Sequence, residues 1–157
     1  MGYTTDFEGS FNITPVLSQK DNEFLTKFSE TRRMARSVGS EYGIEGEFYV
    51  DGDGDRDWSW SDPKTNVIDY NKPPSTQPGL WCQWVPTDDG SELVWDGGEK
   101  FYNYVEWLDY LIDKILAPRG YTLNGECQWF GEERDDVGVI IVENNVVTTK
   151  VGKLTYG

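Results

Sequence analysis

The stretch from Phe101 to Leu116 restricts the fold more than any other part of this chain. Phe101, Tyr104, Val105, Leu108, Leu111, Ile112, Ile115 and Leu116 recur at intervals of three and four, which lays them along one side of an α-helix. Asp96-Gly97-Gly98 precedes the run and Ala117-Pro118-Arg119-Gly120 stops it, so a helix is expected over 98–117. A stripe that broad needs a facing apolar surface, and period-two segments elsewhere supply one. Phe7, Gly9, Phe11 and Ile13 alternate with Glu8, Ser10 and Asn12 before Pro15, the signature of a strand with one face in the core.

A second helix is expected over 18–38. Ser18 with Asp21 forms an imperfect capping box, Phe24, Leu25, Phe28, Ala35 and Val38 share a side, and Gly39 closes it. In that helix Arg32 and Arg36 border the apolar stripe and Arg33 points away from it. Ile44 to Val50 reads as a strand, and the loop-rich segment 51–79 allows a short strand at Val67–Tyr70. Leu80–Val85 and Glu92–Trp95 form a hairpin across Thr87-Asp88-Asp89-Gly90. Three strands follow at Leu123–Phe130, Val137–Glu143 and Val146–Val151, the last two joined by Asn144-Asn145 in a type I′ turn. The order β-α-β-β-β-α-β-β-β predicts one α+β domain over 1–157, with a mainly antiparallel sheet of six or seven strands and two helices on one face.

Composition excludes more than it selects. Histidine is absent, so neither a Ser-His-Asp nor a Cys-His nucleophile can form, and two cysteines alone cannot build a zinc site. Carboxylates are plentiful, but no pair stands out with opposed environments; the expectation is a protein that is not an enzyme. A net charge of −14 argues against direct nucleic-acid binding and against lying on an anionic membrane. No apolar run follows the start MGYTTDFEGS, and nothing approaches the roughly 18 apolar residues a membrane span requires. Cys82 and Cys127 are unclustered, which points to reduced, packed thiols and a cytoplasmic setting.

Three constellations remain as candidate sites. Glu106, Asp109 and Asp113 fall on the side of the second helix opposite its apolar stripe. A rigid row of carboxylates of this kind can meet a partner's Arg and Lys side chains, and it can equally be a solvated helix face. Arg32 and Arg36 with Trp81, Trp84 and Trp95 offer grips for an anion and platforms for a base. The competing reading is that the arginine stems cover core edges and the tryptophans are core. Asp51, Asp53 and Asp55 alternate through DGDGD in a way that would suit calcium, against the competing reading of a solvated acidic loop; no cofactor is otherwise expected. Arg56 stands where a calcium loop needs glycine, and Asp62 where it needs a bidentate glutamate.

The opening MGYTTDFEGSF, the stretch FSETRRMAR, the run IDYNKPPSTQPGLWCQW and the block WDGGEKFYNYVEWLDYLI followed by LNGE resemble a family of short, acidic, uncharacterised proteins of bacteria and their phages. The resemblance covers most of the chain except 38–65, the part that holds the DGDGD loop. It implies a cytoplasmic protein in a bacterial host, in a phage context, and it assigns no activity. The leading expectation is therefore a non-enzymatic, phage-type antagonist of a host nuclease or defence protein, working through the acidic face against a basic surface. The second is a sponge that sequesters a nucleotide-type small molecule in the Arg/Trp pocket. A calcium-stabilised interaction module is third.

Overall fold

The computed structural model describes residues 3–50 and 67–152. Its centre is β1 (Asp6–Thr14), whose alternation buries Phe7, Phe11 and Ile13 and leaves Glu8 and Asn12 exposed. Two short sheet elements follow helix α1 (Gln19–Glu30): β2 (Ala35–Arg36) and β3 (Val67–Asp69). Next come β4 (Trp84–Pro86), β5 (Glu92–Trp95), helix α2 (Tyr104–Leu111), β6 (Thr122–Phe130), β7 (Val137–Glu143) and β8 (Val146–Val151). The main sheet has six antiparallel strands in the order β4-β5-β1-β6-β7-β8, and β2 pairs with β3 in a separate two-stranded sheet. With two helices the chain is of the α+β class.

Register follows from side-chain size. β1 and β6 pair without a break from Asp6 opposite Phe130 to Thr14 opposite Thr122. Gly9 and Gly125 lie on these strands at φ 129° and 148°. A Cβ on Gly9 would collide with the Glu126 carbonyl oxygen, and one on Gly125 would come within 2.6 Å of the Ser10 oxygen. Only glycine permits so close a backbone approach. The Asn144-Asn145 turn joins β7 to β8 with both residues left-handed, at φ 48° and 71°, as a type I′ turn requires.

One sheet face and both helices enclose the core. Leu25 and Phe28 of α1 meet Trp84 and Leu93 of the sheet, while Trp107, Leu108 and Leu111 of α2 complete the same cluster. Aromatic rings are stacked edge to face through it, with Phe7 within 5.8 Å of Trp84, Trp95, Phe101 and Tyr104, a geometry that aligns ring edges with neighbouring π faces. Cys82 and Cys127 are both free and buried, and desolvation pushes their thiols up to about 12 and about 11.

Four expectations are corrected. The first helix stops at Glu30 rather than reaching 38, because Thr31 turns extended (φ −102°, ψ 126°) and the following backbone bonds elsewhere. Arg33 N–H donates to the Leu80 carbonyl at 2.7 Å and Ala35 N–H to that of Lys72 at 2.8 Å. Arg33, expected to point away, is 2% exposed. Its guanidinium lies 4.1 Å from the Phe28 ring centroid and donates to the carbonyls of Glu47 (3.0 Å) and Tyr49 (2.6 Å). Ile44 to Val50 is not a strand: short 3₁₀ turns occupy Ser40–Tyr42 and Ile44–Gly46. Gly43, Glu45 and Gly46 all have positive φ there, which no extended ladder accommodates. The second helix begins at Tyr104 rather than 98, since Lys100 and Asn103 are left-handed at φ 59° and 58°. Beyond Leu111 it widens into a π turn over Ile112–Leu116 and tightens into a 3₁₀ turn at Ala117–Arg119.

Two substitutions test this packing. Leu108 is fully buried, so Leu108→Ala should cost about 2–5 kcal/mol in urea unfolding. Arg33→Ala takes a hydrogen bond from each of the Glu47 and Tyr49 carbonyls and empties a buried site, and should cost about 3 kcal/mol or more, with Arg33→Met recovering only the part that comes from the apolar stem. A loss below about 1 kcal/mol for Arg33→Ala would mean that water replaces the guanidinium.

Candidate functional site

Helix α2 separates its side chains by chemistry. Trp107, Leu108, Tyr110 and Leu111 are buried, and Glu106, Asp109 and Asp113 are exposed on the opposite side. The row borders a groove of about 360 Å³ whose other wall is the segment Thr76-Gln77-Pro78, with Tyr110 and Lys114 completing it. Among the described residues none of the three carboxylates makes an ion pair or a side-chain hydrogen bond. The cation at the groove's rim, Lys114, is not within ion-pair distance of any of them.

A buried polar network anchors the wall opposite the row. Glu47, 4% exposed, accepts hydrogen bonds from Tyr110 O–H (2.8 Å) and Thr76 O–H (2.8 Å) on Oε1, and from Ile44 N–H (3.0 Å) on Oε2. Gln77 is 7% exposed, and its Nε2 donates to the Glu47 carbonyl at 2.6 Å and to Tyr110 Oη at 3.0 Å. The Tyr110 proton is committed to Glu47, so the Gln77 nitrogen must be the donor, and this settles the orientation of the amide. Gln77 Oε1 is then a buried acceptor with no donor. A groove lined by three carboxylates without partners among the described residues offers acceptors, and lysine and arginine are donor-only side chains.

Electrostatics bear on the same row. Partial burial raises the Asp109 carboxyl above its ordinary range, and the neighbouring Asp113 and Glu106 charges raise it further. Holding Asp109 ionised therefore costs the folded state energy that a bound cation would return.

The Arg/Trp constellation is dispersed. Trp84 is 1% exposed, with its indole N–H donating to the Tyr104 carbonyl at 2.9 Å. Trp95 packs on Phe7 at 5.3 Å and bonds to Gln83 Oε1 at 3.2 Å. Arg36 is 4% exposed, its guanidinium 4.2 Å from the Tyr49 ring centroid. Of the five, Arg32 and Trp81 line a common cavity. Asp51, Asp53 and Asp55 lie outside the described residues. Sequence reasoning missed Gln77 and Tyr110: one sits in a loop without periodicity and the other on the apolar side of its helix, so neither carries a local signal. Among the described residues no helix is long and apolar enough to cross a membrane. Comparison with protein-family models, curated proteins and solved structures finds no match.

The raised Asp109 carboxyl predicts the sign of a pH effect. A carboxyl whose folded pKa exceeds its unfolded value loses stability as pH rises through that range, so ionised Asp109 destabilises at neutral pH. Asp109→Asn should raise the melting temperature at pH 7. The gain should vanish below about pH 3, where the carboxyl is protonated in both states. Calorimetric melts at the two pH values check both statements.

Proposed function

We propose that this chain is a non-enzymatic binding protein that engages the basic surface of another protein through the acidic groove of α2. The reading is carried by one observation: among the described residues Glu106, Asp109 and Asp113 stand without ion pair or side-chain hydrogen bond, and all three line one groove. Partial burial, with the neighbouring Asp113 and Glu106 charges, raises the Asp109 carboxyl, a cost that a bound cation would offset. The net charge of −14 adds long-range attraction for a basic partner and speeds encounter. Resemblance to acidic proteins of bacteria and their phages favours a partner in the bacterial cytoplasm. An antagonist of a host nuclease or defence protein fits this chemistry, since carboxylates on a rigid helix can occupy a surface shaped for phosphates.

Charge reversal tests the proposal. The variant with Glu106, Asp109 and Asp113 all changed to Lys should stay folded, because all three side chains are exposed. Wild-type protein should retain a basic protein from bacterial lysate at low salt and release it at high salt. The reversed variant should retain none of it, and with the purified partner its association rate should fall about tenfold or more. Equal capture by both proteins would overturn the proposal.

A further inference from the structure

The segment that walls the acidic groove continues into a second concavity of opposite character. Beyond Pro78, the residues Gly79, Leu80 and Trp81 line a cavity of about 380 Å³ closed by Lys100, Tyr102 and Asn103, with Arg32, Gln83 and Glu99 at its margin. We infer that this cavity is a binding site for a small planar aromatic ring carrying an acidic group, the chemistry shared by nucleoside monophosphates and aromatic carboxylates. The inference is independent of the acidic groove.

The floor supplies donors. Trp107 is fully buried, yet its indole N–H has no hydrogen-bond partner. It lies 3.7 Å from where a Cβ on Gly79 would stand, and Asn103 Nδ2 lies 3.6 Å from the same point, with no other non-neighbouring atom of the described residues within 4 Å. Asn103 Nδ2 spends one hydrogen on the Pro78 carbonyl at 2.8 Å and keeps the second. The floor at Gly79 thus lies beside two donors, the buried Trp107 indole and the spare hydrogen of Asn103, and the Asn103 hydrogen is the one a ligand oxygen can take.

The walls supply stacking and charge. Trp81 is 42% and Tyr102 51% exposed, and a ring ligand can lie against such faces. Arg32 is held in place: its Nε donates to the Tyr70 carbonyl at 3.2 Å, and its guanidinium sits 4.3 Å from the Tyr70 ring centroid. That fixes the fork while leaving its terminal nitrogens for an anion. Lys100 adds a second cation against the single carboxylate of Glu99. Lys100 and Asn103 both adopt the left-handed conformation at this rim, strain of a kind that collects at ligand sites. Asn103 also leaves the N-terminus of α2 without a side-chain cap, so the positive helix end adds to the field on a bound acid.

Calorimetric titration with adenosine monophosphate, uridine monophosphate, salicylate, adenosine and inorganic phosphate tests the site, with the Trp107 indole N–H followed by NMR. At least one of the ring-plus-acid probes should bind with Kd below about 1 mM and shift the Trp107 resonance. Adenosine and phosphate, each lacking one half of the chemistry, should bind about tenfold more weakly or worse. Tighter binding of the nucleotides assigns a nucleotide ligand, and tighter binding of salicylate an aromatic carboxylate. Gly79→Leu should fill the floor and weaken binding about tenfold or more. Gly79→Ala, which meets nothing closer than 3.6 Å, keeps the fold and should still weaken it. Lys100→Asn, tolerant of the left-handed backbone, should also weaken it. Absence of binding by all three ring-plus-acid probes at about 5 mM, or undiminished binding in a folded Gly79→Leu or Gly79→Ala variant, would overturn the inference.

Discussion

A buried guanidinium holds in position the turns on which the candidate groove is built. Taking Arg33 out of water costs several kcal/mol unless its donors are satisfied, and the fold aims its two terminal nitrogens at carbonyls of the chain. Glu47 and Tyr49 supply two acceptors and Phe28 a ring face. To reach them, the chain must leave the helix at Thr31, which is why a segment with helical periodicity runs extended. The same step places alternate side chains on opposite sides. Arg33 goes in while Arg32, its neighbour, stays at the surface against Tyr70. Fixing the Glu47 turn in this way also brings the Glu47 carboxylate beneath Tyr110 of α2, and the wall of the acidic groove is built on that contact.

The two concave surfaces share one strip of backbone and differ by what it presents. On the Thr76-Gln77-Pro78 side, hydrogen bonds are consumed so that an acceptor, Gln77 Oε1, is left over. On the Gly79-Leu80-Trp81 side, donors are left over, the indole of Trp107 and one hydrogen of Asn103. An acceptor-rich groove and a donor-rich cavity select opposite ligand charges. Both surfaces rest on α2, so the residues that pack this helix serve each of them.

Much of the architecture was legible because it is local. Alternation in β1 and across Leu123 to Val151 is a period-two signal with one buried face, and slipping it by one residue would expose every core side chain. The Asn144-Asn145 turn announces its own conformation. The carboxylate row of α2 was equally visible, since spacings of three and four place residues on one helical side without reference to anything else. Less of the site could be read. Trp84 and Trp81 look alike in LWCQWV, yet one is core and the other a cavity wall, a difference set by which sheet face α1 and α2 cover.

What the chain's sequence determined by itself is its set of faces: apolar stripes, alternating strands, a ridge of acids and the exclusion of histidine chemistry. Tertiary structure alone decided where the helices begin and end, which arginine is buried, and which polar atoms remain unsatisfied. The physical reason is range. Periodicity is written in neighbouring residues. The cost of burying Arg33, the left-handed turns at Lys100 and Asn103, and the open valences of Gln77 and Trp107 depend on partners far along the chain, and these are fixed only once the sheet has brought them together.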